Sequence, residues 1–311
     1  MAAITASLVK ELREQTGAGM MDCKKALSET DGDMEKAIEY LRKNGQAKAE
    51  KKAGRIAAEG VSFVCVKDDH TAAIVEVNSE TDFVAQNEKF RTYVEDVAQQ
   101  AAGSSAADLE SFMAEKWVKD QSKTVEEARV EMVAVIGENI KIRRFENVEE
   151  QNGVVAGYVH GGGRIAGLVD AECGVVNDEI KEALHNVALQ VCAMNPKYVS
   201  QKELSEEFRA HEKEIIEAQI KNDPKESQKP EKVIQGIVMG RLSKQFKEIC
   251  LNDQVYVKAE DGKQTVKAYL DKVAKDNGTE ITVKRFVRFE TGEGLEKKQE
   301  DFAAEVASQL Q

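Results

Sequence analysis

Glycines beside a histidine are the first residues of this chain whose spacing fits known chemistry. His160-Gly161-Gly162-Gly163 matches the H-G-G-G loop that binds an oxyanion in some esterases, but such enzymes also need a G-x-S-x-G nucleophile turn, which the 311-residue sequence lacks. The glycines and Ala166 also satisfy G-x-G-x-x-A, the pattern of a dinucleotide-binding fold. In that fold the glycines must precede a helix whose N-terminus faces a pyrophosphate. Here the apolar run I-A-G-L-V follows, which predicts a strand with the glycines in a hairpin turn.

Other catalytic and ligand-binding patterns are missing as well. The sequence has no G-x-x-x-x-G-K-[ST] phosphate loop, and its four histidines lack metal-ligand spacing, so His185 and His211 are expected to be structural or surface residues. The five cysteines are scattered singly, which favours reduced thiols in a cytosolic protein over disulfides or a zinc site. We therefore expect a protein that acts by binding, with no catalytic residue, no metal ion and no cofactor.

A polar turn that carries an aromatic residue stands out. The apolar stretch Ala72–Val77 ends in four polar residues, and Asp82 and Phe83 follow directly ahead of a predicted helix. Turns usually collect polar residues and Gly, because their side chains satisfy or free the local backbone. The pattern alone leaves open whether Phe83 is a hydrophobic anchor folded under the helix or has another role.

The charge distribution limits the class of partner. The net charge of −12 disfavours nucleic acid, because phosphate binding needs clustered positive charge. Residues 1–55 contain eleven Lys or Arg and nine Asp or Glu, so their net charge is +2 and the remainder of the chain carries −14. This uneven distribution indicates a protein partner with patches of both signs. No apolar run approaches the ~20 residues that span a bilayer, and Met1–Lys10 has no secretory pattern, so we expect a cytoplasmic protein without membrane contact.

Helical periodicity predicts three short helices at the start of the chain. The first covers about Thr5–Glu14, the second follows a turn through Gly17 and Gly19, and the third begins after Asp33. The charged stretch Lys48–Arg55 is predicted to be a linker. These helices would form an N-terminal domain, 1-52, near the lower size limit for independent folding.

A weak internal repeat follows. Each half opens with two predicted strands and an amphipathic helix: Val61–Val66, Thr71–Val77 and about Asn87–Ala102, then Val154–Val159, Arg164–Asp170 and about Asn177–Met194. Thr124–Phe145 and Thr265–Phe286 then align without a gap at an offset of 141 residues, with Gly137 matching Gly278. We predict an α+β fold whose core is two related subdomains, 53-149 and 150-290.

The second subdomain carries an insertion at about 200-248. Two sets of residues follow helical spacing on either side of a stretch with two prolines, which forbid a continuous helix: Leu204, Phe208, His211 and Ile215, then Ile234, Val238, Leu242 and Phe246. We predict an antiparallel helical hairpin, with two ordinary core helices as the alternative. A C-terminal module, 291-311, is predicted to contain a short helix that begins at Asp301.

Three stretches in combination resemble the bacterial elongation factor Ts family: Thr16–Leu27 (T-G-A-G-M-M-D-C-K-K-A-L), Thr81–Val84 (T-D-F-V) and Ile136–Arg144 (I-G-E-N-I-K-I-R-R). Members of that family are guanine-nucleotide exchange factors for elongation factor Tu, and the resemblance runs the whole length of the chain. It implies a UBA-like N-terminal bundle, two similar core subdomains, a protruding coiled-coil hairpin and a C-terminal helical module.

The resemblance also implies roles for single residues. Thr81, Asp82, Phe83 and Val84 would form a turn whose aromatic side chain wedges between two helices of elongation factor Tu and disturbs its Mg²⁺ site. The other implied partner contacts are Arg13, Met20, Met21, Ile136, Gly137, His160 and Gly161. Two adjacent Met cannot both face a bundle core, and an exposed Met is an adaptable contact. His160 has the alternative of being a plain turn residue.

Two departures and two rival functions qualify the resemblance. The turn H-G-G-G-R at residues 160–164 is longer than the H-G-x-R expected in relatives, and Gly103–Ser122, with the sole Trp117, is longer than usual and has no assigned role. The rivals are a UBA-like adaptor without exchange activity and a general chaperone, but an adaptor has no need of T-D-F-V. A homodimer and a 2:2 complex with elongation factor Tu stay open alternatives.

Overall fold

Three helices open the chain in the computed structural model, which describes residues 4–296: α1 (Ala6–Thr16), α2 (Met20–Glu29) and α3 (Met34–Lys52). Thr5 caps α1 by accepting from the N–H of Leu8 at 3.2 Å, as its position in the sequence predicts. Gly17 ends α1 with a left-handed φ of 66°. The three helices share a small apolar cluster in which Leu12 and Leu27 are fully buried.

The third helix is longer than the sequence suggested. The prediction of a linker at Lys48–Arg55 is wrong over most of its length, because α3 continues to Lys52. A Cβ added at Gly45 of α3 would lie 3.7 Å from side-chain atoms of both Val130 and Ala134 on α7, and Ala49 is buried in the main core cluster. The charges that suggested a linker are therefore the solvated face of a packed helix, whose Lys, Glu and Ala are good helix formers.

The first sheet has the antiparallel order β1-β2-β5. The elements from this part of the chain are β1 (Glu59–Val66), β2 (Thr71–Ser79), α4 (Asp82–Ala85), α5 (Glu88–Ala102), α6 (Leu109–Ala114), β3 (Lys116–Trp117), β4 (Asp120–Thr124), α7 (Val125–Ile136) and β5 (Lys141–Glu149). Helices α5 and α7 supply most of the apolar side chains that cover one face of this sheet.

The second sheet repeats the first with the order β6-β7-β8. Its part of the chain contains β6 (Gly153–His160), β7 (Ile165–Cys173), α8 (Asp178–Met194), α9 (Glu206–Asn222), α10 (Glu231–Ile249), α11 (Val266–Asp276) and β8 (Ile281–Glu290). Both central strands carry a register shift, after Glu76 in β2 and after Asp170 in β7. Thr124 and Thr265 cap the matching helices α7 and α11.

The two sheets pack against each other. Alternate residues of β1 face opposite sides, as strand geometry requires: Val61 belongs to the cluster beneath α5 and α7, whereas Val64 joins a second cluster. That second cluster draws on all six strands of the two sheets and includes Ile74, Leu168 and Phe289. The layers therefore run helix, sheet, sheet, helix, which defines an α+β fold.

Helices α9 and α10 carry a cluster of their own. Leu204, Val238, Leu242 and Phe246 are buried there, as their spacing predicted. The prediction is wrong for His211 and Ile215, because both are exposed (Ile215 by 37%), and Ile216 and Ile220 face α10 instead. The joining residues 223–230 contain two prolines, and Pro230 is the N-cap of α10.

The segment Gly103–Ser122, which had no assigned role, completes the first core. Phe112 of α6 is fully buried and stacks on Phe145 with 4.4 Å between ring centroids. Trp117 packs on Tyr93 with the ring centroids 5.9 Å apart. At the other end of the chain the predicted helix at Asp301 lies outside the described residues. Between residues 4 and 296, none of the helices is both long and apolar enough to cross a membrane.

Candidate functional site

The T-D-F-V stretch forms a short, exposed helix. Thr81 is the N-cap of α4, and its Oγ1 accepts from the N–H of Val84 at 3.3 Å. Val84 and Ala85 pack on the first core cluster, whereas Asp82 is exposed and Phe83 is 83% exposed. The alternative in which Phe83 is a hydrophobic anchor is therefore wrong. Among the large apolar side chains of residues 4–296, that of Phe83 is the most exposed.

Comparison of the two halves shows that α4 is an addition to a common plan. In the second half three residues, 174–176, separate β7 from Asn177, the N-cap of α8. In the first half seven residues, 80–86, separate β2 from Asn87, the N-cap of α5. The four extra residues match the length of α4, which is Asp82–Ala85. The second sheet forms without such residues, so the first sheet does not need them in order to form.

The turn after α7 supports α4. Glu138 accepts from the backbone N–H groups of Glu80 and Thr81 at 3.0 and 3.1 Å, and from the Thr81 hydroxyl at 2.7 Å. Gly137 ends α7 in left-handed backbone (φ 88°), and its carbonyl accepts from the Lys52 ammonium. Ile136 is partly buried against the first core cluster. The structure thus brings Ile136 and Gly137 next to T-D-F-V, with Glu138 as the direct link.

The glycine turn lies on the other side of α4. Gly161, Gly162 and Gly163 all have positive φ, and the N–H of Arg164 donates to the His160 carbonyl at 3.0 Å, which confirms the predicted hairpin turn. Only Gly fits at position 163, because a Cβ there would lie 2.6 Å from Val61 Cγ1.

An arginine of α5 joins this turn to α4. Arg91 donates from one guanidinium nitrogen to the carbonyl of Gly162 at 2.7 Å and to that of Ala85 at 3.4 Å. His160 is exposed, and its Nδ1 lies 3.2 Å from the Tyr158 hydroxyl. Arg91 thus links the backbone of the glycine turn that follows His160 to the end of α4.

The three N-terminal candidates lie on a separate element. Met20 and Met21 are 59% and 74% exposed at the start of α2, and Arg13 is exposed in the last turn of α1. Among residues 4–296 no hydrogen bond or ion pair joins these three side chains to α4. They belong to the N-terminal bundle, which α3 attaches to α7.

Sequence reasoning missed Glu138 and Arg91. The contact between Glu138 and Thr81 spans 57 residues, and that between Arg91 and Gly162 spans 71 residues. No short-range pattern encodes either contact. The only local signal was the position of Glu138 directly after the helix-ending Gly137, in I-G-E-N.

The site is built for contact. Across residues 4–296 no three His, Cys, Asp or Glu side chains are arranged to hold a metal ion. The exposed side chains at this site are the Phe83 ring and the Asp82 carboxylate on α4, and the His160 imidazole at the glycine turn.

The fold and the site define an α+β protein that presents an aromatic side chain on an added turn. Comparison with known proteins gives the family: the model of Elongation factor TS matches residues 80–293. The chain is 50% identical over 308 residues to Elongation factor Ts of Clostridium novyi (strain NT), covering 99% of both chains. It is 48% identical over 309 residues to Elongation factor Ts of Clostridium tetani, covering 99% of this chain and 100% of the relative. The chain belongs to the elongation factor Ts family.

Proposed function

We propose that this protein is the guanine-nucleotide exchange factor of elongation factor Tu. It binds the GDP-bound partner, disturbs the site that holds Mg²⁺ and the phosphates, and promotes release of GDP and its replacement by GTP during translation elongation. Family membership supports this role, and the exposed ring of Phe83 is the observation that carries it.

Exchange of this kind needs binding energy and no bond chemistry. A protein that binds the nucleotide-free partner more tightly than the GDP-bound partner lowers the affinity of that partner for GDP by the same ratio, because the two binding equilibria are linked. GDP is held largely through a phosphate loop and a Mg²⁺ ion. Burial of one Phe ring contributes about 1.5–3 kcal/mol, which corresponds to a factor of roughly 10 to 150 in affinity.

The T-D-F-V turn is the proposed device. Phe83 inserts between two helices of elongation factor Tu beside the magnesium site, and Asp82 brings its carboxylate close to that site. Thr81 and Val84 fix the turn: the first caps α4 and the second packs into the core. Displacement of a partner helix disturbs the Mg²⁺ ligands, and GDP leaves.

The remaining candidates supply partner contacts. Arg13, Met20 and Met21 grip the nucleotide domain of elongation factor Tu through the N-terminal patch. Ile136 and Gly137 lie beside the wedge, and His160 with Gly161 reaches towards the phosphate loop. Arg91 joins the glycine turn to α4 by hydrogen bonds to the carbonyls of Gly162 and Ala85.

The finer architecture belongs to the same proposal. We assign a UBA-like helical domain to 1-52, core subdomains to 53-149 and 150-290, a coiled-coil hairpin to about 200-248 and a C-terminal module to 291-311. The separate cluster of α9 and α10 supports the hairpin. Such a factor acts in the cytoplasm, with elongation factor Tu as its partner and with no direct contact to nucleic acid or membrane.

The test is the release of fluorescent GDP from elongation factor Tu. Release is followed by stopped flow with excess unlabelled GDP, with and without this protein, at a fixed Mg²⁺ concentration. We expect strong acceleration that saturates with factor concentration. Complex formation without acceleration would favour the UBA-like adaptor, and absence of a complex would contradict both functions. Light scattering of the complex decides between 1:1 and 2:2 stoichiometry.

A further inference from the structure

We infer that Glu138 is a positioning residue for exchange: its carboxylate orders the turn that presents Phe83. The inference rests on the proposed function, and it concerns a residue that acts through α4 without touching the partner.

The contacts of Glu138 converge on the residue that begins the wedge. One carboxylate oxygen accepts from the N–H groups of Glu80 and Thr81, and the other accepts from the Thr81 hydroxyl at 2.7 Å. Because this hydroxyl gives its proton to Glu138, its lone pairs face the N–H of Val84, which donates to it at 3.3 Å. The carboxylate therefore sets the polarity of the cap on α4. Hydrogen bonds to a charged acceptor are about twice as strong as neutral ones.

Glu138 itself is held on a fixed base. The backbone N–H of its neighbour Asn139 donates to Glu80 Oε1 at 2.6 Å, so the two turns bind each other reciprocally. The buried Asn139 side chain donates to the carbonyl of Arg55 at 2.8 Å. On the other side, the Lys52 ammonium donates to the Gly137 carbonyl. The end of α3 thus fixes the turn that carries Glu138.

The second half of the molecule supplies an internal comparison. At the offset of 141 residues Thr279 occupies the place of Glu138, and Gly174 follows β7 as Glu80 follows β2. There the Thr279 hydroxyl accepts from the N–H of Gly174 at 3.0 Å, and the Asn177 amide donates to Asn277 Oδ1 at 2.7 Å, in a unit that lacks the α4 insertion. The two additional bonds of Glu138 both go to Thr81. They are not needed to close the fold and are specific to the half with the wedge.

Ordering in advance matters for a helix of four residues. One turn of helix is unstable by itself, because nucleation fixes several dihedral angles for a single hydrogen bond. If α4 were ordered only on binding, part of the binding energy of Phe83 would be lost to the entropy of ordering. A carboxylate that holds the cap before the encounter removes that loss.

The experiment is a double-mutant cycle on GDP release from elongation factor Tu. The variants are Glu138→Ala, Phe83→Ala and both together, each measured by stopped flow at saturating factor. We expect Glu138→Ala to slow release about tenfold, as for loss of charged hydrogen bonds. In the Phe83→Ala background the same change should slow release by less than about twofold, since residues that act as one unit are non-additive. Glu138→Gln, which keeps one acceptor oxygen, should lie between wild type and Glu138→Ala.

A matched control and a partner-free measurement complete the design. Glu115→Ala removes another half-buried carboxylate of the same subdomain, which accepts from Gln100 and Ser104, and it should leave release unchanged. Hydrogen exchange of the Val84 and Ala85 amides in the free factor should be faster in Glu138→Ala than in wild type, with the melting temperature used to check the fold. If Glu138→Ala proves unstable, Glu138→Gln and Thr81→Val are put through the same cycle.

The outcomes separate the inference from the function. Equal slowing by Glu138→Ala in both backgrounds, unchanged release, or unchanged exchange at α4 would overturn the positioning role while Phe83→Ala still tested the wedge. If the wild-type factor does not accelerate release of GDP at all, the proposed function is wrong. Faster exchange of the α4 amides in Glu138→Ala than in wild type would still support the ordering of the turn by Glu138.

Discussion

Two buried carboxylates at matching positions have pKa values that move in opposite directions. Glu76 lies at the register shift of β2, and although its burial alone would raise the pKa, the N–H of Gly292 and the guanidinium groups of Arg143 and Arg144 lower it overall. Asp170 lies at the register shift of β7, and burial together with the neighbouring carboxylate of Glu150 raises the pKa of Asp170 to about 6.

The different neighbourhoods explain this contrast. In the first sheet Arg143 donates to Glu76 Oε1 at 2.9 Å and Arg144 donates to Glu76 Oε2 at 2.6 Å. In the second sheet Lys284 donates to Glu150 at 3.0 Å, and the Arg285 guanidinium lies 3.4 Å from Asp170 Oδ2. The second carboxyl oxygen of Asp170 is buried and has no hydrogen-bond partner among residues 4–296. Asp170 is therefore the carboxylate that costs stability when it ionises.

The replacement Asp170→Asn should flatten the pH dependence of stability. A carboxyl group whose folded pKa is raised favours the folded state at low pH, and this contribution is lost as pH rises from about 4 through about 6. We expect the free energy of unfolding of the variant, relative to that of wild type, to rise by on the order of 1–3 kcal/mol between pH 4.5 and pH 7.5. Urea unfolding at both pH values measures this. Parallel changes in the two proteins would show that Asp170 does not titrate in this range.

At the scale of elements, the turn after β8 is fastened to the first sheet. Gly292 donates to Glu76 Oε1 at 2.8 Å, and Arg143 donates to the Glu293 carbonyl at 2.6 Å. Position 292 has a φ of 76°, and a Cβ there would lie 2.1 Å from the Ala58 carbonyl oxygen, so only Gly fits. The buried carboxylate of Glu76 is thus the point at which the two sheets are joined at their ends.

The replacement Glu76→Ala should destabilise the protein by about 3 kcal/mol, because it leaves two guanidinium groups and a buried N–H without their partner. Asp271→Ala is the control: it breaks an exposed ion pair with Lys267 and should change stability by less than about 1 kcal/mol. Chemical denaturation of both variants measures the difference. Equal effects would mean that the buried network contributes no more than a surface pair.

Local signals predicted most elements, and long-range contacts account for what they missed. Thr5 and Gly137 lie at helix ends as capping chemistry requires, and the glycine turn was predicted from the strand that follows it. The predicted linker at Lys48–Arg55 was wrong because packing of α3 on α7 is not visible in local charge. The exposure of Phe83 follows from the α4 insertion, which a single turn sequence does not reveal.

At the scale of the whole molecule, α3 connects the N-terminal patch to the core. Gly45 and Ala49 pack towards α7, and Lys52 reaches the turn beside the wedge. Removal of residues 1–52 should therefore cost both partner affinity and stability, whereas the sequence alone suggested an autonomous bundle.

Two variants separate these effects. The deletion should lower the melting temperature by roughly 4–8 °C, as for a loss of about 2 kcal/mol in a body of this size. The double replacement Met20→Ala and Met21→Ala should weaken the complex with elongation factor Tu and leave the melting temperature unchanged, since both side chains are exposed. Calorimetry and binding titrations measure the two quantities. A deletion variant with the same melting temperature as wild type would show that α3 does not contribute to the stability of the core.

The central claim is that Phe83 drives release of GDP. The most direct measurement is the rate constant of fluorescent GDP release from elongation factor Tu at saturating Phe83→Ala, compared with wild type and with Val118→Ala, which truncates an exposed apolar side chain on the β3–β4 turn. We predict that Phe83→Ala slows release at least about tenfold with unchanged melting, whereas Val118→Ala matches wild type. Release at the wild-type rate by saturating Phe83→Ala would contradict the claim.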